Sequence, residues 1–114
     1  MFYDANAFYW MNDSERNISV NEFSFQRMSD GTRFDGSRFA YYTMERGRCV
    51  QLIFADVGTI GCPEGRRPNA WFTPTRTQGV DFWTGGTGQF RVLYLGQEIA
   101  RCEIAAGFCE VYVP

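Results

Sequence analysis

The sequence contains no histidine and no lysine. Without histidine the chain lacks the commonest general base, the commonest metal ligand and every Ser-His or Cys-His nucleophile pair. Without lysine it can form no Schiff base and cannot present the phosphate-gripping lysine of a P-loop. Catalysis would have to rest on carboxylates, tyrosine, cysteine or arginine. Long apolar runs are missing too: none approaches the ~20 residues of a membrane-spanning helix, so no membrane insertion is expected. Nor is there an excess of one sign of charge. The 13 acidic and 11 basic residues are mixed along the chain and give a formal charge of -2, which offers no footprint for nucleic acid.

Helical spacing is never sustained, because glycine and proline interrupt each candidate run, as at Gly58-Thr-Ile-Gly-Cys-Pro-Glu-Gly65. Two-residue alternation recurs instead: Ile18 and Val20, Phe23 and Phe25, Phe39 and Tyr41, then Val50, Leu52 and Phe54. The alternation predicts strands near 6–11, 17–27, 38–44, 48–56, 70–73, 80–83, 89–95, 98–103 and 108–113. Residues 57–70 are expected to form the longest loop. Many short strands between turn signals predict an all-β fold, a two-sheet antiparallel sandwich of immunoglobulin-like or related Greek-key kind, with a partly closed barrel as the alternative. The 114 residues, with 11 Phe, 6 Tyr and 3 Trp, suit a single domain spanning 1–114 with large rings between its sheets.

The segment Asp30-Gly-Thr-Arg-Phe-Asp-Gly-Ser-Arg-Phe39 repeats one pattern twice. Asp-Gly pairs favour turns because glycine accepts positive φ and aspartate bonds its own downstream backbone. Two turns or a bent hairpin are therefore predicted, with Phe34 and Phe39 entering the core. A calcium loop would need alternating oxygen ligands that this stretch does not supply.

At the carboxyl end, Gly96-Gln97 suits a two-residue turn and Ile104–Gly107 a four-residue one. That register pairs Arg91 with Cys102 and sets Cys102 opposite Cys109, with Arg101 facing Glu110 on the other side. It also leaves Phe90, Val92, Tyr94, Ile99 and Tyr112 in an outer row. Four cysteines allow three pairings; 49–62 with 102–109 is favoured, which places the chain in an oxidising, extracellular or cell-surface setting. Four free thiols in a cytoplasmic protein are the alternative, and a zinc site lacks the CxxC knuckle it would need.

Glu103 and Glu110 would sit as diagonal neighbours roughly 7–8 Å apart, within the range of paired glycosidase carboxylates. A hairpin surface offers no cleft, and Arg101 would hold Glu110 ionised, so an ion pair is the better reading. Gly85-Gly-Thr-Gly88 lacks the lysine and following helix of a phosphate loop. The aromatic stretches Ala70-Trp-Phe-Thr-Pro-Thr-Arg76 and Val80-Asp-Phe-Trp83 bring Trp71, Phe72, Arg76, Asp81, Phe82 and Trp83 near strand ends. Alternation turns only one of each adjacent ring pair inward, so these six are the candidate binding surface, suited to a protein partner or to stacking on a sugar.

YDANAFYWMNDSERNISVNEFSFQRM, a Gly-Arg-Cys strand, a Cys-Pro loop and FW…QFRVLYLGQEIARCEIAAGFCEVYVP resemble small β-sandwich accessory domains of large bacterial multidomain proteins. The opening half more distantly resembles a lamin-tail, immunoglobulin-like domain. The loop between Cys62 and Trp71 is shorter than in that pattern. The resemblance implies a non-enzymatic extracellular accessory module; no cofactor or metal is expected, and Met1 running directly into strand residues suggests a domain excised from a larger exported protein. The expected role is contact with a protein partner or neighbouring domain; a carbohydrate-binding module using Trp71 or Trp83 as its platform is the alternative.

Overall fold

The computed structural model describes residues 1–114 and contains no α-helix. Its strands are β1 (Phe2–Tyr3), β2 (Ala7–Met11), β3 (Ile18–Ser19), β4 (Phe23–Arg27), β5 (Arg33–Asp35), β6 (Thr43–Met44), β7 (Cys49–Ile53), β8 (Pro68–Phe72), β9 (Gln89–Tyr94) and β10 (Gln97–Glu103). One four-stranded sheet runs β1-β2-β7-β8 and the other β10-β9-β4-β5, with the short pair β3-β6 beside them. The fold is therefore an all-β sandwich, and no sheet closes into a barrel. One pair departs from antiparallel order: β8 lies parallel to β7, because residues 54–67 carry the chain back before it re-enters the sheet.

Alternation determines which side chains meet. Phe8 and Trp10 from the first sheet face Phe25 and Phe90 from the second, with Phe8–Phe25 centroids 5.3 Å apart. These rings fill the space between the layers largely edge-to-face, the arrangement that their quadrupoles favour. Phe82 stacks on Phe25 at 4.9 Å and meets Phe8 edge-on at the same distance.

The repeated Asp-Gly pairs do form two turns, by different means. At the first, Gly31 adopts φ 77° and Asp30 accepts the Thr32 N–H at 3.0 Å, closing the β4-β5 hairpin. At the second, Gly36 opens a short 3-10 turn over Gly36–Arg38 and is needed for room: a Cβ there would stand 1.9 Å from the Val20 carbonyl oxygen. Phe34 and Phe39 are both buried, as the pattern predicts, with centroids 5.2 Å apart.

The last hairpins differ from the expected register. The β9-β10 turn falls on Leu95 and Gly96, both at positive φ, one residue earlier than the Gly96-Gln97 turn. A bulge between Glu98 and Ala100 then sets Cys102 opposite Phe90, where Arg91 was expected. A one-residue slip exchanges the faces of a strand. Phe90 and Val92 are consequently core residues, and the predicted outer row does not exist.

The stretch 108–113 is not a strand either. After a 3-10 turn at Ile104–Ala106 and Gly107 at φ 69°, the chain crosses to the first sheet. There the Cys109 N–H donates to the Met1 carbonyl at 3.0 Å, and Phe108 bridges Phe2. Arg101 consequently binds Glu98, at 3.0 Å, and does not face Glu110.

Two further predicted strands are replaced. Residues 80–83 form turns inside the connection from β8 to β9, which spans 73–88 and so exceeds the expected 57–70 loop. Of 38–44, only Thr43–Met44 pairs.

Candidate functional site

Both favoured disulfides are present: Cys49–Cys62 and Cys102–Cys109, leaving no free thiol. Such bonds persist in oxidising compartments. No helix is long and apolar enough to cross a membrane.

Each bond shapes a surface. Cys49 projects from the outer face of the first sheet, where it ties the 54–67 connection down over the strands and forms a small cluster with Met11 and Cys62, flanked by Tyr9. Gln51, fully buried beside it, donates to the Thr59 carbonyl at 3.2 Å and accepts the Gly61 N–H at 2.9 Å. A buried amide satisfied on both sides acts as a fixed anchor for the loop above it. The second bond holds the 108–114 tail against β10 and so delivers Phe108 to the edge of the first sheet.

The strand registers then set five residues in one row across this face. Phe108 bridges Phe2, Phe2 pairs with Tyr9, Tyr9 with Gln51, and Gln51 with Trp71. Phe2 and Phe108 are partly exposed, with ring centroids 5.0 Å apart, and Trp71 at the far edge is 50% exposed. Tyr9 is half-buried, and burial pushes its phenol pKa upward. The anchored loop lies over Gln51, between the Phe2–Phe108 pair and Trp71. Ile60 and Val57 add exposed apolar surface from that loop.

The predicted binding surface is divided by the fold. Trp71 stays outside. Phe72 is half-buried on the inner side, against Phe34 at 5.3 Å and beneath the Arg38 guanidinium at 4.7 Å. Phe82 and Trp83 are core residues, 0% and 1% exposed, which removes Trp83 as a stacking platform. They turn inward together because 80–83 is a turn, in which adjacent side chains need not alternate. The Trp83 indole N–H donates to the Asp4 carbonyl at 3.0 Å. Arg27 fixes the same turn by donating to the carbonyls of Asp81 and Thr84.

Arg76 and Asp81 come together at one end of the sandwich, at a cleft of about 410 Å³ whose walls also include Asp4, Phe54, Gly86 and Ala105. Arg76 lies over the Phe54 ring at 4.2 Å and grips Asp56 with two hydrogen bonds, Nε at 2.8 Å and Nη2 at 3.2 Å. Hydrogen bonding to Arg76 holds the Asp56 carboxyl below its usual pKa, and the same pair raises that of Arg76. No three His, Cys, Asp or Glu side chains converge on a metal-sized site.

Sequence reasoning did not single out Phe2 and Phe108 as surface residues. Phe2 lies in a two-residue strand too short to show alternation, and the alternation around Phe108 predicts a strand that does not form. No family model matches the chain, and no curated protein matches it.

Proposed function

We propose that this chain is a non-catalytic contact module of an exported protein, binding a protein partner through the outer face of its first sheet. The observation that carries this reading is the row Phe108, Phe2, Tyr9 and Trp71, which offers three exposed rings across one rigid sheet. Aromatic anchors on a fixed scaffold lose little side-chain freedom on binding and are enriched among the residues that dominate interface energetics. The two disulfides support export. The lack of histidine and lysine and the surroundings of Glu103, which accepts a hydrogen bond from Gln89 at 2.8 Å, favour contact over turnover. The parent is a bacterial multidomain protein, in keeping with the resemblance of the sequence to accessory domains.

A photocrosslinking residue at position 71, with a control at Arg101 on the other sheet, tests this against surface and secreted proteins of the source organism. A discrete protein adduct from 71 and none from 101 is the expected result. Equal labelling from both positions, or none, overturns it. A carbohydrate-binding reading remains the second, favoured by Trp71 being the one exposed tryptophan of three. Polysaccharide binding abolished by Trp71→Ala, with no protein adduct, would establish it in place of the first.

A further inference from the structure

We infer that the end cleft is a separate site for a neutral sugar ring, free or at the end of a glycan, which Asp4, Asp81 and Arg76 recognise through its hydroxyls. The inference stands on different residues from the sheet-face reading and survives that reading's failure.

Each of the three side chains spends part of its hydrogen-bonding capacity on holding itself in place and keeps part free. Asp4 Oδ1 accepts the N–H groups of Asn6 and Ala7, at 2.8 and 2.9 Å, while Oδ2 has no partner in the protein. Asp81 Oδ2 accepts the Thr84 hydroxyl at 2.7 Å, while Oδ1 is free. Arg76 commits Nε and Nη2 to Asp56 and Asn6, leaving Nη1 to donate. Two side chains with a spare acceptor and one with a spare donor therefore line a single concavity. Its volume, about 410 Å³, lies in the range of small-molecule sites. Gly86, at φ 76°, contributes backbone without a side chain to the wall.

Charge narrows the ligand class. An anion would meet two carboxylates whose fields Arg76 cannot cancel, because its own charge is already matched by Asp56. A compact cation would be drawn to the carboxylates but would offer no acceptor to the spare Arg76 Nη1 donor. A hydroxyl can both donate to carboxylate and accept from guanidinium, and adjacent hydroxyls can do both at once. Sugars supply such adjacent hydroxyls on a neutral, partly apolar ring, and Ala105 gives the ring an apolar neighbour.

The test is a titration of the isotopically labelled protein with glucose, galactose, mannose, fucose and N-acetylglucosamine. Lysine amide and glucuronate serve as charged controls, and immobilised glycans ending in the same sugars form a second arm. Saturable shifts of the Gly85 and Gly86 amides and the Trp83 indole with at least one neutral sugar are expected. Loss of a charge-assisted hydrogen bond should weaken that binding about tenfold in Asp81→Asn. Ala105→Trp, which fills the cleft at an exposed position, should abolish it while the unfolding midpoint stays unchanged. Binding in the monosaccharide arm identifies free sugar as sufficient; binding in the glycan arm alone assigns the cleft to chain ends. No response in either arm, a preference for lysine amide or glucuronate, or shifts confined to Trp71 would overturn the assignment.

Discussion

The outer faces of the two sheets follow the same strand geometry and carry opposite chemistry. On the second sheet, one row across the strands reads Arg33, Gln26, Arg91 and Arg101, and the next Asp35, Ser24, Leu93 and Glu98. Nearly every polar group there is matched: Arg33 with Asp35 at 2.7 Å, Arg91 with Gln26 at 2.6 Å, and Arg101 with Glu98 at 3.0 Å. The first sheet carries Phe2, Tyr9, Gln51 and Trp71 in the corresponding direction, with a disulfide-tethered loop across the middle. A polar face saturated with its own pairs gains little from a partner. A face with exposed rings gains by covering them. The contrast supports the first sheet as the proposed contact surface.

The largest effect should come from the interior that both faces share. Phe8 meets Tyr3, Phe25, Phe82, Trp83 and Phe90, so Phe8→Ala removes contacts from both layers at once. A loss of about 3–5 kcal/mol is expected in urea unfolding. Arg91→Ala, on the polar outer face, should cost no more than about 1 kcal/mol. Similar losses for the two variants would mean that the outer ion-pair network, and not ring packing, holds the second sheet in place.

Next comes the tether. Replacing Cys49 and Cys62 by alanine frees a loop closed over a sequence separation of 13, and chain entropy gives a loss of about 3 kcal/mol. The separation of 7 for Cys102–Cys109 gives about 2.5 kcal/mol. The location of the change separates the two better than its size. Hydrogen exchange should quicken at Gly61 in the first variant, and at position 109 in the second, where the backbone N–H loses the Met1 carbonyl. Faster exchange at Gly61 in both would show that the two tethers stabilise one unit.

How much of this was legible in the sequence depended on what each signal could resolve. Alternation in Phe23 and Phe25 or Val50 and Leu52 marked the inner strand faces correctly, because every second side chain there packs between the two sheets. The cysteine pairing was legible from turn spacing even though the register behind it was displaced, since the Ile104–Gly107 turn alone returns Cys109 to Cys102. The turn at Leu95-Gly96 was not legible: leucine strongly disfavours positive φ, so local preference pointed one residue onward. Burial of Phe90 and Val92 outweighed that preference. For Phe82 and Trp83, a strand reading split adjacent rings between faces, whereas tertiary anchoring by Arg27 and the Asp4 carbonyl turned both inward. Asp4, the third polar group of the cleft, gave no sequence signal, because its chain distance from Asp81 hides their meeting.

That overridden preference makes a smaller prediction. Leu95 holds φ 49° and is 65% exposed, so its side chain contributes little to the core while its backbone is strained. Leu95→Asn should stabilise the protein by about 1 kcal/mol, since asparagine suits the first position of this turn type. The gain should appear without any change in the β9-β10 amide pattern. A loss of stability would show that Leu95 packs usefully on the polar sheet and would blur the contrast between the two faces.

The smallest expected effect concerns acid. Hydrogen bonds from Arg27 first, then from Thr32, hold the Asp30 carboxyl well below its ordinary pKa of 3.8 at the hairpin joining β4 to β5. A carboxylate whose folded pKa is lowered stabilises the fold at pH values above the unfolded pKa, and that contribution fades as pH falls through the lowered value. The unfolding midpoint should therefore decline below about pH 4. Asp30→Asn should start lower at neutral pH and decline less steeply, with hydrogen exchange quickening at Thr32, whose N–H binds Asp30. Asp56→Asn should change the same acid decline through Arg76, at the opposite end of the comparison. An acid slope unaltered by Asp30→Asn but flattened by Asp56→Asn would assign the sensitivity to the cleft end of the sandwich and not to the polar sheet.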